Sequence, residues 1–143
     1  NGRAFYLKAA GMAATPEVAE LFSFLAEQEA AHIRQFRAIM LSGGEHAPPT
    51  SVAEEQAGYL KALADGAVFT SAFTPDQAAA QARDPEAALR IAIGVEKDSI
   101  LFYRSMEDYV PPKESEAVRE LRRQEEMHLR LINEMLRRTG QNK

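Results

Sequence analysis

The stretch that decides the fold is VRELRRQEEMHLRLINEM, residues 118–135. One set of its residues recurs at steps of three and four, which is typical of the core-facing stripe of a helix in a bundle. The stripe consists of Val118, Leu121, Glu125, His128, Ile132 and Met135. It is apolar at both ends and polar in the middle. The sequence therefore predicts a bundle helix that carries a glutamate and a histidine at mid-length.

Two further regions, residues 16–42 and 85–110, show the same pattern. Their stripes are Val18, Phe22, Leu25, Glu29, His32, Phe36 and Ile39 in the first, and Leu89, Ala92, Glu96, Ser99, Tyr103, Met106 and Val110 in the second. A buried charge without a partner is costly, yet three stripes are polar at the same level. Divalent cations would turn repelling carboxylates into ligands. A shared metal site is the simplest interpretation.

Helix boundaries are marked by a capping residue followed by proline, at Thr15-Pro16, Thr74-Pro75 and Asp84-Pro85. Gly140 is the predicted end of the last helix. We predict four long helices, at residues 1–13, 16–42, 85–110 and 113–139. The connection between the second and third carries short helical patterns at 52–63 and after Pro75. The predicted fold is all-α: one domain over residues 1–143, an antiparallel four-helix bundle with a long crossover.

Two Glu-x-x-His motifs occur, Glu29 to His32 and Glu125 to His128. Positions i and i+3 share a helix face, so a carboxylate and an imidazole can reach one ion. Such motifs on two helices, with one glutamate from each of two others, build a two-metal carboxylate site. Glu96 is the candidate from the third long helix. The alternative is a polar layer of hydrogen bonds without metal.

An internal repeat aligns Phe5-Tyr6 with Phe102-Tyr103, and the first Glu-x-x-His motif with the second. The chain then consists of two similar helical hairpins related by a pseudo-twofold axis. In this alignment the partner of Glu96 falls two positions before Asn1. Because the chain starts with Asn rather than Met, we expect the natural protein to begin earlier and to carry a glutamate there.

These residues resemble the ferritin-like superfamily, and the rubrerythrin family in particular. The resemblance rests on Glu96 with Phe102-Tyr103 downstream, on the two Glu-x-x-His motifs and on the long crossover, and it covers essentially the whole chain. It implies a di-iron centre and a homodimer. The implied ligands are Glu29, His32, Glu96, Glu125 and His128, with Tyr6 and Tyr103 beside them.

Two features depart from rubrerythrins proper. Ser99 stands where they carry an additional carboxylate, three residues after the ligand of the third helix. The chain also has no cysteine, whereas they carry a rubredoxin-like iron site. What remains supported is a carboxylate-bridged two-metal bundle.

The expected function is oxidoreductase chemistry at two iron ions, of peroxidase or ferroxidase type. Dioxygen, peroxide or ferrous iron would be the substrate, and electrons would come from an external donor. Tyr6 and Tyr103 are candidate catalytic residues or ordinary core tyrosines. One alternative is a non-catalytic protein that buffers iron or holds zinc or manganese, since these metals accept the same ligands. Another is a helical interaction module.

Composition excludes other classes. The 143 residues include no cysteine, which rules out disulfides, iron–sulfur clusters and cysteine nucleophiles. The net charge of −4 gives no indication of a basic surface that would bind nucleic acid. No apolar run approaches the ~20 residues of a membrane span, and we expect a cytoplasmic location. His46 is interpreted as a solvated loop histidine.

Overall fold

A computed structural model describes residues 1–42, 54–55, 57–59, 61–62, 66–70, 72–81 and 84–141. Within these ranges all regular secondary structure is helical, which confirms the all-α prediction. The helices are α1 (Gly2–Met12), α2 (Pro16–Ser42), α3 (Pro75–Gln81), α4 (Pro85–Tyr109) and α5 (Pro112–Gln141). The described residues among 54–62 are helical as well. The rest of the predicted 52–63 helix, and His46, lie outside the described residues.

The predicted caps position the helix starts. The Asp84 carboxylate accepts the Glu86 N–H at 3.3 Å, and the Thr15 hydroxyl accepts the Val18 N–H at 3.4 Å. The four long helices begin and end within two residues of their predicted bounds. The prediction that Gly140 ends α5 was wrong, because the helix continues to Gln141. A glycine costs a helix only about 1 kcal/mol, so it does not by itself stop one.

Neighbouring helices are antiparallel. α1 packs on α2 and α4 packs on α5, while α2 also packs on α5 and α1 on α4. On α2, His32 contacts Gln124 of α5 and Phe24 contacts His128. Residue numbers thus fall along α2 as they rise along α5, and the two Glu-x-x-His helices are direct antiparallel neighbours.

The core is two apolar clusters with a polar layer at the middle of the helices. The first cluster includes Phe5, Tyr6, Phe22, Leu25, Leu89 and Ile132. The second consists of Ile39, Tyr103, Met106, Val110, Val118 and Leu121. Within the described residues, the buried polar side chains are His32, Glu96, Glu125, His128 and Ser105. Except for Ser105, these belong to the predicted stripes, whereas the other two polar residues of the stripes, Glu29 and Ser99, are half-buried.

Part of the crossover lies against α4. The Val68 N–H donates to the Asp98 carboxylate at 2.8 Å. A Cβ added to Gly94 would come within 2.6 Å of Val68 Cγ2, so a glycine is needed for this close approach. Phe69 contacts the Phe5 ring at 5.7 Å and extends the first cluster. No helix in the described part of the chain has both the length and the hydrophobicity to cross a bilayer.

Candidate metal centre

Four of the predicted ligands meet in the polar layer. Glu29 and His32 of α2, with Glu125 and His128 of α5, each offer one ligand atom, and these atoms lie within 4.8 Å of one another. Glu96 of α4 adds a carboxylate oxygen 3.7 Å from Nδ1 of His128. The structure therefore brings Glu29, His32, Glu125 and His128 into one group that could hold a metal ion, and it places the fifth predicted ligand, Glu96, beside that group.

Glu125 stands between the two histidines. Its Oε1 lies 2.8 Å from Nδ1 of His32, and its Oε2 lies 3.1 Å from Nδ1 of His128. The imidazole rings stack with centroids 5.4 Å apart and planes 14° apart. Both rings thus turn the same nitrogen, Nδ1, toward one carboxylate.

Three buried polar atoms in the layer have no hydrogen-bond partner: Glu29 Oε1, Glu96 Oε2 and His128 Nε2. Buried polar groups are nearly always paired, because each unpaired one costs about 1–3 kcal/mol. Two of the three orphans are carboxylate oxygens, the donors that iron, manganese and zinc accept together with imidazole. The residues present therefore fit a metal ion.

The three glutamates of the polar layer have strongly shifted pKa values. Burial, and then the negative charges of Glu125 and Glu96, raise the pKa of Glu29 to about 8. Burial likewise raises the pKa of Glu96 to about 8. For Glu125, burial acts in the opposite sense, but hydrogen bonds with His128 and His32 outweigh it and lower its pKa to about 2. At neutral pH, Glu29 and Glu96 are therefore mostly protonated and Glu125 is ionised.

The two histidines have raised pKa values. Burial alone would lower the pKa of His128, but Glu125 and then Glu96 raise it to about 9. Burial would also lower the pKa of His32, but the hydrogen bond with Glu125 outweighs burial, and the pKa of His32 is raised. Both rings are therefore stabilised as imidazolium. Ligands must be deprotonated to bind a metal ion, so binding would displace these protons.

The two tyrosines differ in what they contact. The Tyr6 hydroxyl donates to Glu96 Oε1 at 2.6 Å, and both side chains are fully buried. Burial, and then the charge of Glu96, raise the pKa of Tyr6 well above its usual value. Tyr103 packs its ring against Phe36 and Phe102. Burial, and then the charge of Glu125, also raise the pKa of Tyr103, so both phenols stay protonated.

Replacing Tyr6 by phenylalanine should destabilise the metal-free protein by about 1–3 kcal/mol, because Glu96 Oε1 would lose its buried donor. Urea unfolding measures the difference. Tyr59 is 47% exposed, so Tyr59→Phe is a matched control with an expected change within about 0.5 kcal/mol. Equal stabilities of Y6F and Y59F would contradict the importance of this hydrogen bond.

The sequence prediction missed Gln124. Its Oε1 lies 2.8 Å from Nε2 of His32, so it contacts the nitrogen that faces away from Glu125. The available signal was its place directly before the glutamate of the second motif.

A cavity of about 190 Å³ reaches the edge of the layer. Its wall includes Glu29, Asp98 and Ser99, and Phe69 of the crossover. Ser99 thus lies at the cavity and not among the five clustered ligands.

Comparison of the chain with protein-family models, with curated proteins and with solved structures found no match.

Proposed function

We propose that this chain is a ferritin-like two-metal carboxylate protein with oxidoreductase activity at iron. The observation that carries the proposal is the buried Glu/His cluster together with its unpaired carboxylate oxygens on Glu29 and Glu96. Antiparallel pairing of α1 with α2 and of α4 with α5 is what a ferritin-like bundle requires. The four residues of this cluster are those of the two Glu-x-x-His motifs that resemble the motifs of rubrerythrins.

The number of donors favours two ions over one. Three carboxylates can offer two oxygens each, so together with two imidazoles the group has up to eight ligand atoms, more than a single octahedral ion takes. The ligands would be Glu29, His32, Glu96, Glu125 and His128. The pseudo-twofold relation of the two motifs also favours two similar positions.

Bound iron would supply a reversible ferrous–ferric couple and open coordination positions for dioxygen or peroxide. The chain's own residues prepare the site for this chemistry. Glu125 orients both histidines, and the Tyr6 hydroxyl orients Glu96 by donating a hydrogen bond to its Oε1. The two apolar clusters lie on either side of the layer and shield it from bulk water. Because the chain contains no cysteine, we propose that electrons come from an external donor or from ferrous iron.

Mixing the anaerobic, Fe(II)-loaded protein with dioxygen or peroxide should give a rapid ferric absorbance change in the near ultraviolet. Glu125→Gln should slow this change strongly, because Glu125 contacts both histidines. Glu116→Gln, on the same helix but 64% exposed, is the matched control and should react as the parent protein does. Bound iron without any absorbance change would refute the oxidoreductase and leave a protein that buffers or stores metal.

A further inference from the structure

The hydrogen bond between His32 and Gln124 fixes how that ring presents its nitrogens. Nδ1 faces Glu125, while Nε2 faces the Gln124 amide oxygen at 2.8 Å. An amide oxygen can only accept, so Nε2 carries the proton and donates it. Gln124 in turn donates to Glu120 at 3.3 Å, which sets the orientation of its amide. The ring is thus held with Nδ1 as its only nitrogen directed at the ligand cluster.

His128 has the same arrangement on one side only. Its Nδ1 faces Glu125, as in His32. Its Nε2 is buried and has no hydrogen-bond partner, and the side chain is fully buried. A histidine that ligates a metal almost always donates its other N–H to an acceptor. His128 therefore needs an acceptor that corresponds to Gln124.

The internal repeat indicates which residue is the acceptor for His128. A glutamine directly precedes the glutamate of each motif, Gln28 before Glu29 and Gln124 before Glu125, so the repeated unit is Gln-Glu-x-x-His. α2 and α5 are antiparallel, and the contact of His32 with Gln124 fixes their register. Going four residues back on α2 and four residues forward on α5 pairs Gln28 with His128. Gln28 is half-buried, as is Gln124.

We propose that Gln28 and Gln124 are reciprocal positioning residues, each accepting the Nε2–H of the histidine on the facing helix. Gln124 accepts from His32, and Gln28 accepts from His128. Each helical hairpin thereby fixes the tautomer of the other hairpin's metal-ligating histidine. The inference rests on the proposed metal-binding function, and it adds two residues that contact ligands without binding metal themselves.

The test is zinc affinity, measured by competition with a chelator, for leucine and glutamate variants at each glutamine. Leucine keeps the approximate size but removes the acceptor, and glutamate restores an acceptor. We expect Gln28→Leu and Gln124→Leu each to weaken Zn(II) binding by about 10- to 100-fold, and Gln28→Glu and Gln124→Glu to bind near the parent value. Gln35→Leu, at an exposed position of α2, is the matched control and should bind as the parent does.

A spectroscopic measurement separates positioning from a general packing role. In the zinc-loaded parent protein, nitrogen-15 NMR should show slow solvent exchange of both histidine Nε2–H groups. Gln124→Leu should release only the His32 proton, and Gln28→Leu only the His128 proton. Leucine variants that keep parent affinity and slow exchange would overturn the proposal. If Gln28→Leu alone behaves as the parent, the reciprocal arrangement is wrong. If the parent itself binds no zinc, it is the proposed function that fails.

Discussion

His128→Ala should remove metal binding and destabilise the protein at the same time. The ring is fully buried, contacts Glu125 at 3.1 Å and lies 3.7 Å from Glu96. Removing one partner of a buried ion pair leaves an uncompensated charge, which costs about 3–5 kcal/mol. Mutation of a residue that only contacts a metal ligand typically weakens metal binding by about 10- to 100-fold. Because His128 would be a ligand itself, its loss should weaken metal binding by more than about 100-fold.

Elemental analysis and urea unfolding of the same samples measure both effects. Met127→Ala, at the neighbouring and 41% exposed position, is the matched control and should retain metal and most of its stability. A His128→Ala protein with parent metal content would defeat the ligand assignment. A loss of stability with metal retained would reduce His128 to a member of a polar core layer.

Raising the pH should strengthen metal binding while it weakens the metal-free fold. Glu29 and Glu96 have pKa values of about 8, and His128 of about 9, so a metal ion must displace protons below those values. Affinity should therefore rise by about tenfold or more per pH unit between pH 6 and 8. Above pH 9, where these groups are already deprotonated, the dependence should flatten.

The metal-free protein should show the opposite sign. The folded state raises the pKa values of Glu29 and Glu96, so it binds more protons than the unfolded chain between about pH 4.5 and 8. The raised pKa of His128 adds the same trend up to about 9. The Tm of the metal-free protein should then fall from pH 6 to pH 9, whereas the stabilisation by added metal should grow.

Calorimetric titration in buffers of different ionisation enthalpy counts the protons released on metal binding. We expect more than one proton per ion at pH 7, and fewer in Glu96→Gln, which has no carboxyl proton to release. Metal affinity that does not change between pH 6 and 8 would contradict the protonated state of the layer.

Periodicity made the helices and the polar layer predictable, because spacings such as that from Glu125 to His128 fix a helix face from local sequence alone. The caps at Thr15 and Asp84 are local for the same reason. The all-α fold and the gathering of Glu29, His32, Glu125 and His128 therefore agree with the sequence prediction.

Contacts between helices depend on the register in which the helices pack, and periodicity within one helix does not predict that register. Tyr6 and Glu96 are 90 positions apart, and their hydrogen bond follows from the packing of α1 on α4. The contact of Gln124 with His32 follows from the register of α5 on α2. The need for glycine at position 94 follows from the approach of Val68 in the crossover. Helical periodicity alone does not predict any of these three contacts.

The most direct test of the central claim is the metal content of the protein after anaerobic equilibration with Fe(II) and removal of unbound ions. A two-metal carboxylate centre predicts about two ions per chain in the parent protein and none retained in the His32→Ala/His128→Ala double variant. One ion per chain would contradict the two-metal arrangement. A folded parent protein that retains no iron, manganese or zinc would contradict the metal centre itself.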